Sequence, residues 1–211
     1  MASTKFITFE GGEGAGKTTQ IKLLAAALEK SGLQVVTTRE PGGSPTAERL
    51  RDLLFATDAA WDPISESLLL SAARRDHLAT TIWPAMKAGN WVLCDRYADS
   101  TLAYQGYGKG VERGWLESLY RTVAGDFVPD LTLLLDLPVG EGLKRAGTRE
   151  QGNNRYEKMD AAFHERLREG YLAIARSNPG RIALIDATGA VAGIQTAIQQ
   201  AVADRLGVHF P

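Results

Sequence analysis

Residues 11–18 read Gly11-Gly12-Glu13-Gly14-Ala15-Gly16-Lys17-Thr18, a full match to the pattern G-x-x-x-x-G-K-[ST]. The run before it, Lys5-Phe6-Ile7-Thr8-Phe9-Glu10, is short and rich in strand formers. After it, residues 18–30 place Ile21, Leu24 and Leu28 on one helical stripe. Strand, glycine loop and helix, in that order, is the context in which this pattern holds phosphate. The glycines let successive backbone N–H groups turn inward around phosphate oxygens, and the helix start adds partial positive charge at the same place. Lys17 can reach the terminal phosphates and the Thr18 hydroxyl can ligate Mg²⁺. The loop points to a nucleoside triphosphate.

Bulk properties narrow the class. A chain of 211 residues fits one domain, or one domain with a small lid. Its net charge of −1 offers no basic field to a DNA or RNA backbone, so no nucleic-acid polymer is expected as partner. No apolar run approaches the roughly 20 residues that span a bilayer, and Met1-Ala2-Ser3-Thr4 leads at once into the first strand, leaving no room for a signal peptide. A single cysteine, Cys94, rules out an internal disulfide or a cysteine-rich metal centre, and its place at the end of an apolar strand makes it a small core residue. Cytoplasmic residence is the expectation.

Strands and helices alternate. Strands are expected at 5–10, 33–38, 91–94, 131–135 and 181–186. Helices are expected at 18–30, 46–55, 63–87 (kinked or divided by Pro84), 99–105, 115–124, 138–145, 160–176 and 191–206. Short apolar strands between helices indicate an α/β fold, a parallel sheet covered on both faces, within one domain spanning 1–211. In such sheets ligands bind where the strand carboxyl ends open. The glycine loop, the turn Arg39-Glu40-Pro41-Gly42-Gly43 and the turn Asp95-Arg96-Tyr97 each follow a strand directly, so they should meet at one edge.

Weaker patterns accompany these. Residues 146–158 are polar, glycine-punctuated and bracketed by Arg145, Arg149 and Arg155. They read either as a solvated loop or as an arginine-bearing lid, since phosphoryl transfer is served by guanidinium groups that neutralise transition-state charge. Leu70 and Arg74 share a helix face by their spacing of four, as do Thr101 and Gln105. Together they could hold a flat base by its edge, with Gly106, Gly108 and Gly110 allowing close approach; ordinary helix surface explains each pair equally. Arg39, Arg51 and Arg96 are either clamps for a monophosphate or surface ion pairs. His77 on a helix, His164 on a surface helix and His209 at the tail read as packing or surface polarity, none placed as a general base.

Four stretches carry a resemblance to bacterial thymidylate kinases along essentially the whole chain. They are Phe9-Glu10-Gly11-Gly12-Glu13-Gly14-Ala15-Gly16-Lys17-Thr18-Thr19, Thr38-Arg39-Glu40-Pro41-Gly42-Gly43, Ala72-Ala73-Arg74-Arg75-Asp76-His77-Leu78, and Asp95-Arg96-Tyr97-Ala98-Asp99-Ser100-Thr101-Leu102-Ala103-Tyr104-Gln105-Gly106-Tyr107. The resemblance implies a five-stranded parallel sheet of the P-loop kinase type with a small lid. It also implies a homodimer, and transfer of the ATP γ-phosphate to dTMP with Mg²⁺.

By the same resemblance, the loop from Gly11 to Thr19, with Lys17, binds the ATP phosphates, Thr18 ligates Mg²⁺ and Asp95 assists from the outer coordination sphere. Arg96 bridges the donor and acceptor phosphates. Arg39, Glu40, Pro41 and Arg51 form the acceptor end, Arg74 and Gln105 bond the thymine with Thr101 beside them, and Glu13 lies near the sugar hydroxyl. Arg145 stacks on adenine beside Asp186, Ala187 and Thr188. Because Glu13 and Ala15 bring no cation into the loop, the catalytic arginine falls to the lid, to Arg149 or Arg155. Leu70 stands where many relatives carry a phenylalanine that stacks on thymine; Tyr97, Tyr104 and Tyr107 are possible substitutes. Three rival expectations remain. They are a kinase for another nucleotide, a nucleotide-dependent switch or partitioning ATPase, and a degenerate binding module, the last opposed by the presence of Lys17, Thr18, Asp95 and Arg96.

Overall fold

In a computed structural model of the chain, residues 4–56, 60–147, 156 and 159–211 are described. Five parallel strands form one sheet in the order β2-β3-β1-β4-β5: β1 (Phe6–Glu10), β2 (Val35–Arg39), β3 (Trp91–Asp95), β4 (Leu131–Asp136) and β5 (Ile182–Asp186). The expected parallel sheet is therefore present. Around it lie α1 (Lys17–Lys30), α2 (Pro45–Phe55), α3 (Pro63–His77), α4 (Trp83–Lys87), α5 (Ala98–Thr101), α6 (Arg113–Ala124), α7 (Val139–Gly147), α8 (Ala161–Ser177) and α9 (Val191–Leu206).

Alternation along the strands explains the two-sided core. Ile7, Phe9, Leu93, Leu131, Leu133 and Leu135 point to one face, where Leu24 and Leu28 of α1 and Ile194 and Ile198 of α9 cover them. Phe6, Val92 and Cys94 point to the other face and meet Leu78, Ile82 and Tyr97. Further along that second face, Leu134 and Ile182 lie under Phe163, Leu167 and Tyr171 of α8. Both faces are closed, which is why the strands read as apolar runs rather than as half-polar alternations. Cys94 is fully buried, as expected of a core residue.

Helix starts follow local chemistry. Ser44 caps α2, Asp62 caps α3, Glu112 caps α6 and Asp160 caps α8, each accepting from a backbone N–H of the first turn. At α1 no side chain does so; Gly16 enters it in the left-handed region at φ 91°. Its first N–H groups stay available for an anion.

Most boundaries shift by a residue or two, and three differences have a structural reason. Strand β2 begins at Val35 rather than at 33, Leu33 packing instead against the core as connecting chain. The helix expected at 63–87 widens into a π-helical turn at Leu78–Ile82, where the Trp83 N–H reaches the Leu78 carbonyl. An ordinary turn there would drive the Pro84 ring into the carbonyl four residues back. The helix expected at 99–105 is a single α turn followed by a π-helical segment, Leu102–Gly108.

Candidate active site

Because all five strands run the same way, their carboxyl ends share one edge, and the loops that leave it build the site. The phosphate loop leaves central β1. Arg39 ends β2 and Asp95 ends β3 on one side of it; Asp186 ends β5 on the other.

The loop is held by close backbone approach. Gly14 has φ +71°, and a Cβ there would lie 2.1 Å from the Gly142 carbonyl oxygen of α7. Lys17 Nζ donates to the Gly11 and Gly12 carbonyls at 3.0 and 2.9 Å, bent back over the loop. Burial, reinforced by repulsion from Arg96, lowers its pKa to about 8. Thr18 Oγ1 donates to Asp95 Oδ2 at 3.0 Å. Thr19 lies exposed on the first turn of α1, its N–H bonded to the Gly16 carbonyl.

Arg96 stands at the centre. It is the non-glycine residue with positive φ, 67°, among the described residues, and its N–H is fixed by the Phe9 carbonyl. Its guanidinium donates to the Gly11 carbonyl, the Tyr171 hydroxyl and Glu13 Oε1 at 3.0, 3.1 and 3.0 Å, and lies 5.0 Å from the centroid of the Tyr104 ring. Tyr104 also donates to Glu13 Oε1, at 2.7 Å. Burial pushes the Glu13 carboxyl up, but Arg96, then Lys17 and the Tyr104 bond, outweigh it and hold the group at about 2. Behind Arg96, the fully buried Glu10 receives the Tyr97 N–H, the Ser100 N–H and hydroxyl, and the Tyr171 hydroxyl. Desolvation and the nearby Asp99 charge raise its pKa to about 7.

Towards β2 and β3, Arg74 is 4% exposed; its Nε donates to Glu40 Oε2 at 2.8 Å and its Nη2 to Thr101 Oγ1 at 2.9 Å. His77 Nδ1 donates to the other Glu40 oxygen at 3.1 Å, and Nε2 shares a hydrogen bond with Thr38 at 2.7 Å. Gly43 is required beneath that ring, since a Cβ would come within 2.3 Å of Nε2. Arg51 donates to the Pro41 carbonyl and packs over the Phe55 ring, while Arg39 makes an exposed pair with Glu48.

One cleft joins these groups. It is lined by Glu13, Gly14, Ala15, Gly16, Lys17 and Thr18, by Arg39, Glu40, Pro41 and Arg51, and by Leu70, Arg74, Asp95, Arg96, Thr101 and Gln105. Lys17 and Gln105 therefore face the same space. Gly11 and Gly12 contribute their carbonyls from behind the loop. At the other end of the edge, Arg145 donates to the Ala187 and Thr188 carbonyls at 3.1 and 3.3 Å, and Asp186 accepts from the Thr188 N–H and hydroxyl. Arg149 and Arg155, with most of the stretch 146–158, lie outside the described residues.

Comparison with known proteins fixes the family. A sequence profile described as thymidylate kinase matches residues 9–198. The chain belongs to the thymidylate kinase family. It is 52% identical over 209 residues to a thymidylate kinase of Caulobacter vibrioides, covering 99% of this chain and all of that one. It is 48% identical over 209 residues to a thymidylate kinase of Methylococcus capsulatus, with the same coverage of both chains. A crystal structure of thymidylate kinase from Ehrlichia chaffeensis matches with a TM-score of 0.77 at 36% identity, covering 95% of this chain and 99% of that one. The chain is thus a P-loop kinase that phosphorylates dTMP to dTDP, with ATP as the donor of this thymidylate kinase family.

For this thymidylate kinase, three expectations need correction. Gly106, Gly108 and Gly110 do not line the cleft. A Cβ at Gly108 would strike the Phe163 ring at 2.6 Å, so that glycine serves the packing of α8. Tyr107 does not line the cleft either, whereas Tyr97 and Tyr104 do. His164 is 4% exposed with its ring edge-on to Phe163, buried rather than on the surface. Sequence reasoning missed Phe55 and Tyr156, which complete the cleft wall. Both are aromatic residues at the margins of predicted elements, and nothing in their spacing aims them inward.

Proposed function

We propose that the transfer is in-line between two nucleotides meeting head to head over β1, driven by charge neutralisation and positioning with no covalent intermediate. The presence of Lys17 and Gln105 in one cleft carries this reading. The donor phosphates occupy the loop amides and the unshielded start of α1, and Lys17 exchanges its two carbonyl partners for phosphate oxygens. Arg96, already tied to the loop at Gly11, bridges towards the acceptor phosphate, which Arg39 and Arg51 hold from the far side. Arg74, fixed by Glu40 and Thr101, and Gln105 address the base. Arg145 with Ala187 and Thr188 forms the adenine end, and Arg149 or Arg155 supplies further positive charge. No general base is required, because the acceptor oxygen belongs to a phosphate already ionised near neutral pH. In keeping with this, neither His77 nor His164 lines the cleft.

The donor set fits a magnesium ion. Thr18 and Asp95 bring a hydroxyl and a carboxylate oxygen together, the hydroxyl a hard ligand and the carboxylate its support from the outer coordination sphere. That is the sparse protein ligation typical of Mg²⁺ bound with phosphate. When bound there it would neutralise charge on the donor phosphates.

We further propose a cytoplasmic homodimer. Leu53 of α2 and Ile64 and Leu68 of α3 are 46%, 42% and 48% exposed on two helices that pack together, apolar side chains that a second copy could cover. No described helix is long and apolar enough to cross a membrane.

The test is ADP release measured with ATP alone and with a panel of monophosphates. Release dependent on dTMP and far weaker with dCMP or AMP is expected. Equal release without acceptor would instead indicate a hydrolytic switch.

A further inference from the structure

Gln105 is 1% exposed, and its amide is constrained in an uneven way. Nε2 donates to the Tyr156 hydroxyl at 3.0 Å, while Oε1 is buried with no hydrogen-bond donor among the described residues. The direction of that bond is set two residues away. Lys109 donates to Glu66 Oε2 and Tyr156 donates to Glu66 Oε1, each at 2.5 Å. Glu66 itself is fully buried. An ammonium can only donate and a carboxylate can only accept, so the single phenolic proton is committed to Glu66. The Tyr156 oxygen then turns a lone pair to Gln105, which must answer with its NH₂ group. The amide oxygen is left at the other end of a side chain that lines the cleft beside Arg74, itself shielded from solvent.

We propose that Tyr156, anchored by Glu66 and Lys109, is a positioning residue for base selection: it fixes the Gln105 amide with its oxygen presented to the acceptor base. The site then suits a pyrimidine whose ring offers an N–H donor at that edge, as thymine and uracil do. A cytosine-type ring offers a bare nitrogen there, and two acceptors would face each other in a buried pocket. The inference rests on the reading that Gln105 addresses the base.

Two variants separate this from a merely structural role. Tyr156→Phe keeps the ring and removes the hydroxyl, freeing the amide to rotate. The expected result is a KM for dTMP raised about tenfold, with kcat and the KM for ATP within about twofold, and a dTMP-to-dCMP ratio of kcat/KM reduced about tenfold. Glu66→Gln goes further. Lys109 holds the new amide oxygen, so its NH₂ faces Tyr156, the phenolic proton turns to Gln105, and the Gln105 amide is inverted. The dTMP-to-dCMP ratio should fall more in Glu66→Gln than in Tyr156→Phe, with dCMP turnover rising in absolute terms. Gln105→Ala controls the underlying reading and should raise the KM for dTMP far more than that for ATP. If Gln105→Ala has that effect and Tyr156→Phe leaves the ratio unchanged, or lowers turnover of both monophosphates by one factor, the orienting role is overturned and the base contact stands. If Gln105→Ala leaves the KM for dTMP unchanged, the base contact falls and the proposal with it.

Discussion

The Thr18 hydroxyl donates to Asp95 Oδ2 across 3.0 Å although 77 residues separate them in the chain. β1 and β3 are hydrogen-bonded neighbours in register, Phe9 opposite Asp95, so the loop after one strand and the last residue of the other meet. Removing the Asp95 charge leaves the hydroxyl in place and weakens the support behind it. Asp95→Asn should therefore raise the Mg²⁺ concentration for half-maximal activity by about tenfold, as outer ligands generally do. A Mg²⁺ titration at saturating ATP measures it; an unchanged midpoint would detach Asp95 from the metal.

Lys17 sets a pH dependence. Its pKa of about 8 in the free protein lies below the ordinary lysine value because burial and Arg96 disfavour the charged form. Bound phosphate favours that form, so ATP binding draws a proton to Lys17 once pH exceeds 8. The Kd for ATP should be flat below pH 8 and rise towards about tenfold per unit above it, the limit for one linked proton. Lys17→Arg, permanently charged, should flatten the profile. Calorimetric titration between pH 7 and 9.5 distinguishes these outcomes, and a level wild-type profile would mean that the lysine keeps its ordinary basicity.

Arg96 combines an unfavourable backbone conformation with a guanidinium tied twice to the phosphate loop, at the Gly11 carbonyl and at Glu13. Arg96→Ala should lower kcat by about 10²–10³, the range for losing one preorganised charge donor. The strained φ relaxes little in alanine and the buried Glu13 carboxylate loses its guanidinium partner, so Tm should fall as well. Steady-state kinetics beside calorimetry read both quantities. Near-normal turnover would take Arg96 out of the mechanism.

Leu70 supplies an apolar cleft wall without an aromatic face. Leu70→Phe should lower the KM for dTMP several-fold, from about 0.5–1.5 kcal/mol of ring stacking, and leave the KM for ATP alone. A raised KM would show that Phe55, Tyr97 and Tyr104 already fill that role.

Gly142 tests the packing that holds the phosphate loop. Alanine is the better helix former by about 1 kcal/mol, yet a Cβ at 142 would stand 2.5 Å from the Glu13 carbonyl oxygen. Overpacking of this kind costs about 1–3 kcal/mol, so Gly142→Ala should lower Tm by a few degrees and raise the KM for ATP. A higher Tm would mean that the loop yields without cost.

Much of this was legible in the chain itself. The glycine loop, the apolar strands and the residues that follow them directly are relations between near neighbours, and parallel strands carry Lys17, Arg39, Asp95 and Arg96 to one edge once their order is known. Side-chain direction was not legible. That Gly108 receives Phe163, that His77 buries itself against Glu40, and that Arg51 lies over Phe55 depend on how helices settle on the sheet. Glu66, Lys109 and Tyr156 are ordinary polar positions in sequence, separated from one another by 43 to 90 residues. Local periodicity records which residues share an element, and so it determined the fold and the phosphate site. Which proton faces which lone pair is settled only when distant elements close a buried space together, and that was left to the tertiary structure.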